Sequence, residues 1–146
     1  MTPHDFYHIT TMIKMLLFII VIVVLFGVFY VITYLREDQL SKDAKIVELK
    51  AKLSSAFPEL HRVKMMKGAS SYTLNKQKVY ICTEKNGVTY DDNMLIYVTL
   101  HELAHVLCDE VGHTPKFIAI FTSLLDRAER HGLYDSNRQR VTNYCK

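Results

Sequence analysis

Five consecutive residues, His101-Glu102-Leu103-Ala104-His105, carry the residue types in this chain that could do chemistry. Two histidines at positions i and i+4 lie on one face of an α-helix, because the helix repeats every ~3.6 residues. Both imidazoles can then bind one Zn²⁺ ion. Glu102 follows the first histidine, so its carboxylate can point at a metal-bound water and act as a general base. The spacing therefore predicts a zinc site with Glu102 as its catalytic residue.

A catalytic zinc ion commonly has three protein ligands and one open position, so a third ligand is needed. His113 is the preferred candidate, because Gly112 can end the motif helix and turn the chain back toward the metal. Glu129, on a later predicted helix, is the rival third ligand. Asp109 and Glu110 adjoin the end of the motif helix and are further alternatives with a poorer reach.

The surroundings of the motif favour a functional site over a plain buried helix. The segment from Met94 to about Cys108 is strongly apolar and compatible with a helix. Two incidental histidines on a buried helix would not explain Glu102 among apolar neighbours, because an unpaired buried carboxylate is costly. Cys108 shares the histidine face, and we interpret it as a small buried thiol. Tyr134 or Tyr144 could donate to a developing oxyanion, although tyrosines in a tail more often serve packing.

Residues 15–35 form an uncharged and almost wholly apolar run, MLLFIIVIVVLFGVFYVITYL. About 20 such residues cross the ~30 Å hydrocarbon core of a bilayer as a helix. Tyr30 and Tyr34 lie near one end, where aromatic rings favour the membrane interface. A cleaved signal peptide would have a shorter apolar core and small residues at its cleavage site. We therefore predict a short amino-terminal tail at 1–14 and one transmembrane helix at 15–35, with a lipid bilayer as partner.

The charges that flank the apolar run predict its orientation. Lys14 and the α-amine precede the run, whereas a larger set of basic residues follows it. That set comprises Arg36, Lys42, Lys45, Lys50 and Lys52. The positive-inside rule therefore places the carboxyl-terminal part in the cytosol. The three cysteines are odd in number and widely spaced, which favours reduced thiols in a cytosol-like compartment and leaves one disulfide as the alternative.

The rest of the chain predicts an α+β domain that follows a helical segment. Leu40, Ala44, Val47 and Ala51 recur at helical spacing and predict a juxtamembrane stalk at 36–56, with a helix packed on the domain surface as the alternative. Strand-forming residues follow. The predicted elements are strands at 63–66, 71–74 and 79–83, turns at 75–78 and 86–87, the motif helix at 94–108 and a second helix at 115–131.

Length and charge limit the possible classes of protein. The chain has 146 residues, enough for one compact domain and a short appendage. Its formal net charge is +3, and Lys and Arg are dispersed among the acids without a basic stripe, so nucleic acid is not an expected partner. We predict one domain at 57–146 that combines a small antiparallel sheet with the motif helix and a carboxyl-terminal helix.

The stretch from His101 to Phe117, HELAHVLCDEVGHTPKF, resembles the WLM and SprT-like zincin metallopeptidases. Their pattern is HExxH, a short insert, a histidine that often follows glycine, and an aromatic residue a few positions on. The resemblance implies that His101, His105 and His113 bind zinc and that Glu102 is catalytic. The wider stretch 79–134 resembles small membrane-anchored relatives carried by large DNA viruses, and it implies a zincin-like fold for 57–146.

The chain departs from typical members of this group in its insert length. It also lacks an obvious DNA-binding or ubiquitin-binding extension, so a role in DNA–protein crosslink repair is not expected. The resemblance implies a single-pass protein of a viral or host internal membrane that cleaves a protein or peptide near that membrane. The hairpin around 71–83 would supply an edge on which the substrate lies as an added strand.

Three hypotheses for function follow. The first is a membrane-anchored zinc metallopeptidase in which Glu102 assists the attack of water on a peptide carbonyl. The second is a non-catalytic membrane-anchored structural or adaptor protein, for instance in a virion, whose zinc stabilises the fold. The third is a helical interaction domain without metal. The zinc content of the protein separates the third from the others, and replacement of Glu102 separates the first from the second.

Overall fold

The structure is a computed structural model that describes residues 3–145. Met1 and Thr2 of the predicted tail and Lys146 of the predicted domain lie outside the described residues. The chain divides into two compact units, of which the first ends at Asp38 and the second begins at Gln39. As expected, the protein is α+β, with a long apolar amino-terminal helix and a small sheet.

Helix α1, Pro3–Ser41, contains the whole predicted membrane span. The described part of the predicted tail is also helical, because α1 begins well before the apolar run. The apolar part of α1 is long enough to cross a membrane and is not buried. An amino-terminal signal sequence has the same properties. Inside the run, the hydroxyl of Thr33 donates to the carbonyl of Phe29, which satisfies a polar group on an apolar surface.

Helix α2, Ala44–Ser54, belongs to the second unit and is not a free stalk. The carboxylate of Asp43 caps it by accepting from the backbone N–H groups of Lys45 at 3.0 Å and Ile46 at 3.3 Å. A cap at this position starts a new helix after α1 ends. The structure therefore corrects the predicted stalk and shows the alternative, a helix packed on the domain.

The buried face of α2 differs from the face that the sequence predicted. Ile46, Leu49 and Leu53 are each at most 1% exposed and contribute to the core, whereas Val47 is 53% exposed. The two faces lie on nearly opposite sides of the helix, about 160° apart on the helical wheel. A short 3₁₀ helix, Pro58–Arg62, then leads from α2 into the sheet.

The main sheet has three short strands, β1 (Lys64–Lys67), β2 (Tyr72–Leu74) and β3 (Lys78–Ile81). Their order is β1-β3-β2, so β2 lies at an edge. β2 and β3 are antiparallel, but β1 and β3 are parallel, which corrects the predicted antiparallel sheet. The sheet is mixed because β1 runs in the same direction as β3, whereas β2 runs in the opposite direction. Asn75 and Lys76 connect β2 to β3 with φ of 51° and 54°.

A second, two-stranded sheet follows as an antiparallel hairpin of β4 (Glu84–Lys85) and β5 (Val88–Thr89). Asn86 and Gly87 form its two-residue turn with φ of 53° and 77°. Positive φ at both turn residues matches the right-handed twist of a hairpin and favours Asn-Gly. The predicted turn at this position is confirmed.

Two helices complete the domain, α3 (Asp92–Leu107) and α4 (Pro115–Arg130). The carboxylate of Asp91 caps α3 by accepting from Met94 N–H at 2.9 Å. The hydroxyl of Thr114 caps α4, and Pro115 occupies its first turn. α3 packs against α4 and against the sheet, so it is buried on several sides, which explains its nearly continuous apolar sequence.

The core lies between α3 and the elements around it. Its largest side chains at under 2% exposure are apolar and come from α2, the 3₁₀ segment, β1, β3, α3 and α4. They include Phe57, Ile46, Leu49, Leu53, Leu60, Ile81, Leu95, Ile96, Leu100 and Leu103. A closely packed core of this kind fixes the direction of α3 and therefore of the polar side chains on its open face.

The carboxyl-terminal tail is fastened to the domain although it has no helix or strand among the described residues 131–145. The side-chain amide of Asn93 donates to the carbonyl of Asp135 at 3.0 Å and accepts from its N–H at 2.7 Å. Cys82 and Cys145 form a disulfide. The predicted reduced state of these two cysteines is therefore wrong, because the tail returns to the end of β3. Cys108 is a free buried thiol, as predicted.

Candidate metal centre

Three imidazoles meet above the open face of α3. His101 and His105 lie on successive turns of α3, and His113 comes from the loop between α3 and α4. The Nε2 atom of His113 is 3.1 Å from Nε2 of His101 and 3.2 Å from Nε2 of His105. The three pairs of ring centroids are 4.9 to 5.0 Å apart. The side chains thus form a nearly regular triangle with their Nε2 atoms directed inward.

The dimensions of this triangle match a tetrahedral zinc site. Zn–N bonds of about 2.0–2.1 Å at tetrahedral angles place neighbouring ligand atoms about 3.3–3.4 Å apart. The two measured Nε2–Nε2 distances are 3.1 and 3.2 Å, and all three ligand atoms lie within 4.8 Å of one another. Nitrogen ligands are also those that zinc prefers. His101, His105 and His113 therefore fit a zinc ion.

The loop between the helices has the local chemistry to bring His113 back. Gly112 has a φ of +86°, a conformation that residues with a Cβ atom rarely adopt. Asp109 and Lys116 form an ion pair at 2.6 Å across the loop. Phe117, at 2% exposure, lies beneath the site, with its ring centroid 4.3 to 5.1 Å from the three imidazole centroids. This aromatic ring limits the space available to each imidazole.

Electrostatics favour the metal-binding form of the imidazoles. Burial, with repulsion from the neighbouring histidines, lowers the pKa of His101 to about 4. Burial and the neighbouring His113 also lower the pKa of His105. Both rings are therefore neutral at neutral pH. Neutral imidazole is the form that binds a metal ion, because it has a free lone pair.

Glu102 lies beside the three histidines and is 6% exposed. Thr73 on β2 donates its hydroxyl hydrogen to the carboxylate Oε2 at 2.8 Å, and the same hydroxyl lies 3.0 Å from the backbone carbonyl of Glu102. Burial raises the pKa of the Glu102 carboxyl, and the Thr73 hydrogen bond opposes that rise. A poorly hydrated carboxylate held by one directed bond is well suited to accept a proton.

Thr73 is a candidate site residue that sequence analysis missed. It lies 29 positions before Glu102 on a strand with no motif of its own. A threonine in a short strand is common, because β-branched residues favour strands. The sequence offers one signal for Thr73, its place in the strand predicted at 71–74, which belongs to the hairpin expected to line the site.

The rival ligands are not part of the ligand cluster, although Glu110 lines the cleft over the histidines. Among residues 3–145, the cluster of ligand atoms consists of His101, His105 and His113. Glu129 accepts a hydrogen bond from Ser136 N–H at 3.0 Å, near the end of α4. Asp109 is paired with Lys116, as described above.

A cleft of about 560 Å³ opens over the three histidines, and β2 forms one side of it. We call it the metal cleft. Its lining residues come from β2, the β2–β3 turn, α3 and the loop after α3. They are Ser71, Tyr72, Thr73, Asn75, Lys76, His101, Glu102, His105, Glu110, Val111, Gly112 and His113. Because β2 is an edge strand, the backbone groups along its outer edge have no partner within the sheet.

The tail reaches the site through Tyr144, which was one of two candidates for an oxyanion donor. Its hydroxyl hydrogen-bonds the hydroxyl of Ser71 at 2.8 Å and donates to the carbonyl of Cys82. Burial raises the pKa of Tyr144 to about 12. The other candidate, Tyr134, packs against Tyr97 with ring centroids 6.1 Å apart. The Tyr144 hydroxyl already has two partners, which favours a structural role.

Comparisons with known proteins identify viral relatives. The chain is 52% identical to uncharacterized protein 136R of Invertebrate iridescent virus 6 over 87 residues. This alignment covers 57% of this chain and 49% of that protein. The chain is 45% identical over 87 residues to uncharacterized protein 042R of Invertebrate iridescent virus 3, covering 58% and 55%. It is 46% identical over 59 residues to uncharacterized protein R325 of Acanthamoeba polyphaga mimivirus, covering 38% and 30%.

The chain therefore spans about half the length of the two iridescent virus relatives that it matches. No family model and no solved structure matches this chain. The predicted similarity to viral proteins is confirmed by these three relatives.

Proposed function

We propose that this chain is a membrane-anchored, zinc-dependent metallopeptidase with a minimal zincin-like domain. The observation that carries the proposal is the triangle of Nε2 atoms, with two edges of 3.1 and 3.2 Å, beside the buried carboxylate of Glu102. Three imidazoles with a carboxylate next to them are the groups that metal-assisted hydrolysis needs. Structural zinc sites commonly have four protein ligands, so a three-histidine cluster favours catalysis.

In this proposal, His101, His105 and His113 would hold the zinc ion. Bound zinc supplies a Lewis acid that polarises a peptide carbonyl and makes water more acidic. Glu102 takes the proton from the attacking water and passes it to the leaving amine. Thr73 is a positioning residue, since its hydrogen bond at 2.8 Å fixes the direction of the Glu102 carboxylate. Phe117 excludes water from beneath the ligands.

We further propose that the substrate lies along β2 as an added strand. β2 is at the edge of its sheet and also lines the metal cleft, so backbone hydrogen bonds could align an extended peptide beside Glu102. This geometry favours a protein or peptide substrate with an unfolded segment.

The membrane part of the proposal depends on α1. Its apolar run is long enough to span a bilayer and none of it is buried. The Lys and Arg residues that follow the apolar run are the remaining support for a domain in the cytosol. The disulfide between Cys82 and Cys145 removes the argument from reduced thiols, because disulfides persist mainly in oxidising compartments.

Replacement of Glu102 by glutamine tests the proposed activity. Glutamine keeps the shape but cannot accept the proton, so the rate should fall by about 10²–10⁴-fold while zinc content stays the same. Full-length wild type and Glu102→Gln are purified in detergent micelles, loaded with one equivalent of zinc, and incubated with a random peptide mixture that is read by mass spectrometry. Glu48→Gln, an exposed glutamate on α2, is the matched control.

A zinc-loaded wild type that cleaves no peptide while keeping its zinc would contradict the peptidase. That result would favour the structural or adaptor role. Cleavage that persists in Glu102→Gln would show that another group, or a contaminating enzyme, is responsible.

A further inference from the structure

Two more cavities lie at opposite ends of β2, on either side of the metal cleft. The cavity at the Ser71 end measures about 350 Å³ and shares His101 and Glu102 with the candidate centre. We call it the apolar cavity. Apart from those shared residues, its walls are mainly Met94, Tyr97, Val98 and Tyr144. A large apolar side chain could enter it next to the catalytic carboxylate.

The wall formed by Tyr144 is held from several directions. The hydroxyl of Tyr144 bonds Ser71, and its ring lies 4.8 Å from the ring of Tyr90. The N–H of Cys145 donates to the hydroxyl of Tyr90 at 3.0 Å, and the disulfide to Cys82 fixes the end of the tail. The apolar cavity is therefore a preformed feature of the oxidised protein.

The cavity at the Lys76 end is larger and basic, with a volume of about 790 Å³. We call it the basic cavity. Lys76 lines both this cavity and the metal cleft, so the two are neighbours along the β2–β3 turn. Arg62, Lys64 and Lys78 also line it, above an apolar floor that includes Leu107.

The basic cavity is lined by four basic residues and one acidic residue. Glu59 is the acidic lining residue, and it forms an ion pair with Arg127 at 2.9 Å. The excess of basic lining residues would attract an anionic group into the cavity.

We propose that the cleft selects an extended substrate by two features, a large apolar side chain at the Ser71 end and an acidic side chain at the Lys76 end. This inference rests on the proposed peptidase function and names the substrate class of that site. β2 and its flanks cover about three to five residues at ~3.3 Å each, so the two selected side chains are separated by roughly that many positions.

Four matched peptides test the selection without requiring catalysis. Each carries either phenylalanine or alanine at one position and either glutamate or glutamine four residues away, and the set is made in both orders. Binding is measured by fluorescence anisotropy to zinc-loaded, full-length Glu102→Gln protein in detergent micelles, at low and high salt. In one of the two orders, the peptide with phenylalanine and glutamate should bind at least about tenfold more tightly than the one with alanine and glutamine.

Two substitutions separate the contributions of the two cavities. Ser70→Phe alters an exposed residue that lines the apolar cavity and should abolish the preference for phenylalanine, whereas Ser70→Ala should not. Arg62→Gln should weaken the preference for glutamate about two- to fivefold. Arg138→Gln is the matched control, because Arg138 lines neither of these cavities nor the metal cleft.

Equal binding of all four peptides in both orders would overturn the inference. A glutamate preference that is equally strong in Arg62→Gln would overturn the part assigned to the basic cavity. The proposed function fails separately. Selective binding with no cleavage by the wild type would contradict the peptidase and leave the selection intact, whereas cleavage of all four peptides at one rate would contradict only the selection.

Discussion

Replacing Thr73 by valine tests how the candidate general base is held. Valine has nearly the shape of threonine but lacks the hydroxyl that donates to Glu102 at 2.8 Å. The carboxylate is 6% exposed, so water cannot easily replace the lost bond. A hydrogen bond to a charged group contributes about 1.5–3 kcal/mol, and each 1.4 kcal/mol is tenfold in rate. Thr73→Val should therefore lower kcat/KM by about 10- to 150-fold.

The pH profile gives a second, independent readout of Thr73→Val. Burial raises the pKa of Glu102, and the Thr73 hydrogen bond lowers it. Loss of that bond should raise the pKa further. The acidic limb of kcat/KM, where the base becomes deprotonated, should therefore move to higher pH. A role of Thr73 in folding alone would not move this limb.

The assay compares zinc-loaded, full-length wild type, Thr73→Val and Thr73→Ser on one fluorogenic peptide between pH 5 and 9. Serine keeps the hydroxyl, so Thr73→Ser should recover most of the rate and the wild-type limb. The zinc content of each sample is measured in parallel. An unchanged rate and limb in Thr73→Val, or equal loss in Thr73→Ser, would refute the assigned role.

Two further predictions concern stability. Asp92 forms ion pairs with Lys45 at 2.7 Å and with Lys52 at 2.5 Å. These pairs, chiefly the one with Lys45, lower the pKa of the Asp92 carboxyl. Because the pKa is lower in the folded protein than in the unfolded chain, the ion pairs stabilise the fold fully at pH values above the unfolded pKa of about 4. This stabilisation is lost as the pH falls through the folded pKa. Asp92→Asn should lower the free energy of unfolding by about 0.5–1 kcal/mol at pH 7 and by nothing at the acid end, and a difference that persists in acid urea titrations would contradict this. Cys145→Ser removes the bond to Cys82 and should destabilise the protein by about 2–4 kcal/mol; an unchanged urea midpoint after reduction of the wild type would argue against it.

The positions of the three histidines depend on local sequence and were therefore open to prediction. Helical spacing sets His101 and His105 on one face, and Gly112 allows the short loop to return His113. Thr73 could not be assigned in this way, because its contact with Glu102 depends on how the sheet packs against α3. Long-range contacts of this kind leave no spacing in the sequence.

The same distinction explains the corrected parts of the fold. The turn at Asn86-Gly87 follows from two residues that tolerate positive φ. The parallel pairing of β1 with β3 depends on the path of the whole chain. The disulfide joins cysteines 63 positions apart, and only the fold of the tail brings them together. In α2, Ile46 and Val47 are adjacent apolar residues, and the domain it packs against decides which one is buried.

The zinc content of the full-length protein tests the central claim most directly. Wild type, His113→Ala and the control His61→Ala are purified without chelators, dialysed against metal-free buffer and measured by inductively coupled plasma mass spectrometry. Wild type and His61→Ala should each retain about one zinc per chain, and His113→Ala should lose most of it, because two imidazoles remain of three. The three-histidine site would be contradicted if the wild type held no zinc even after incubation with added zinc. It would also be contradicted if His113→Ala retained one zinc per chain.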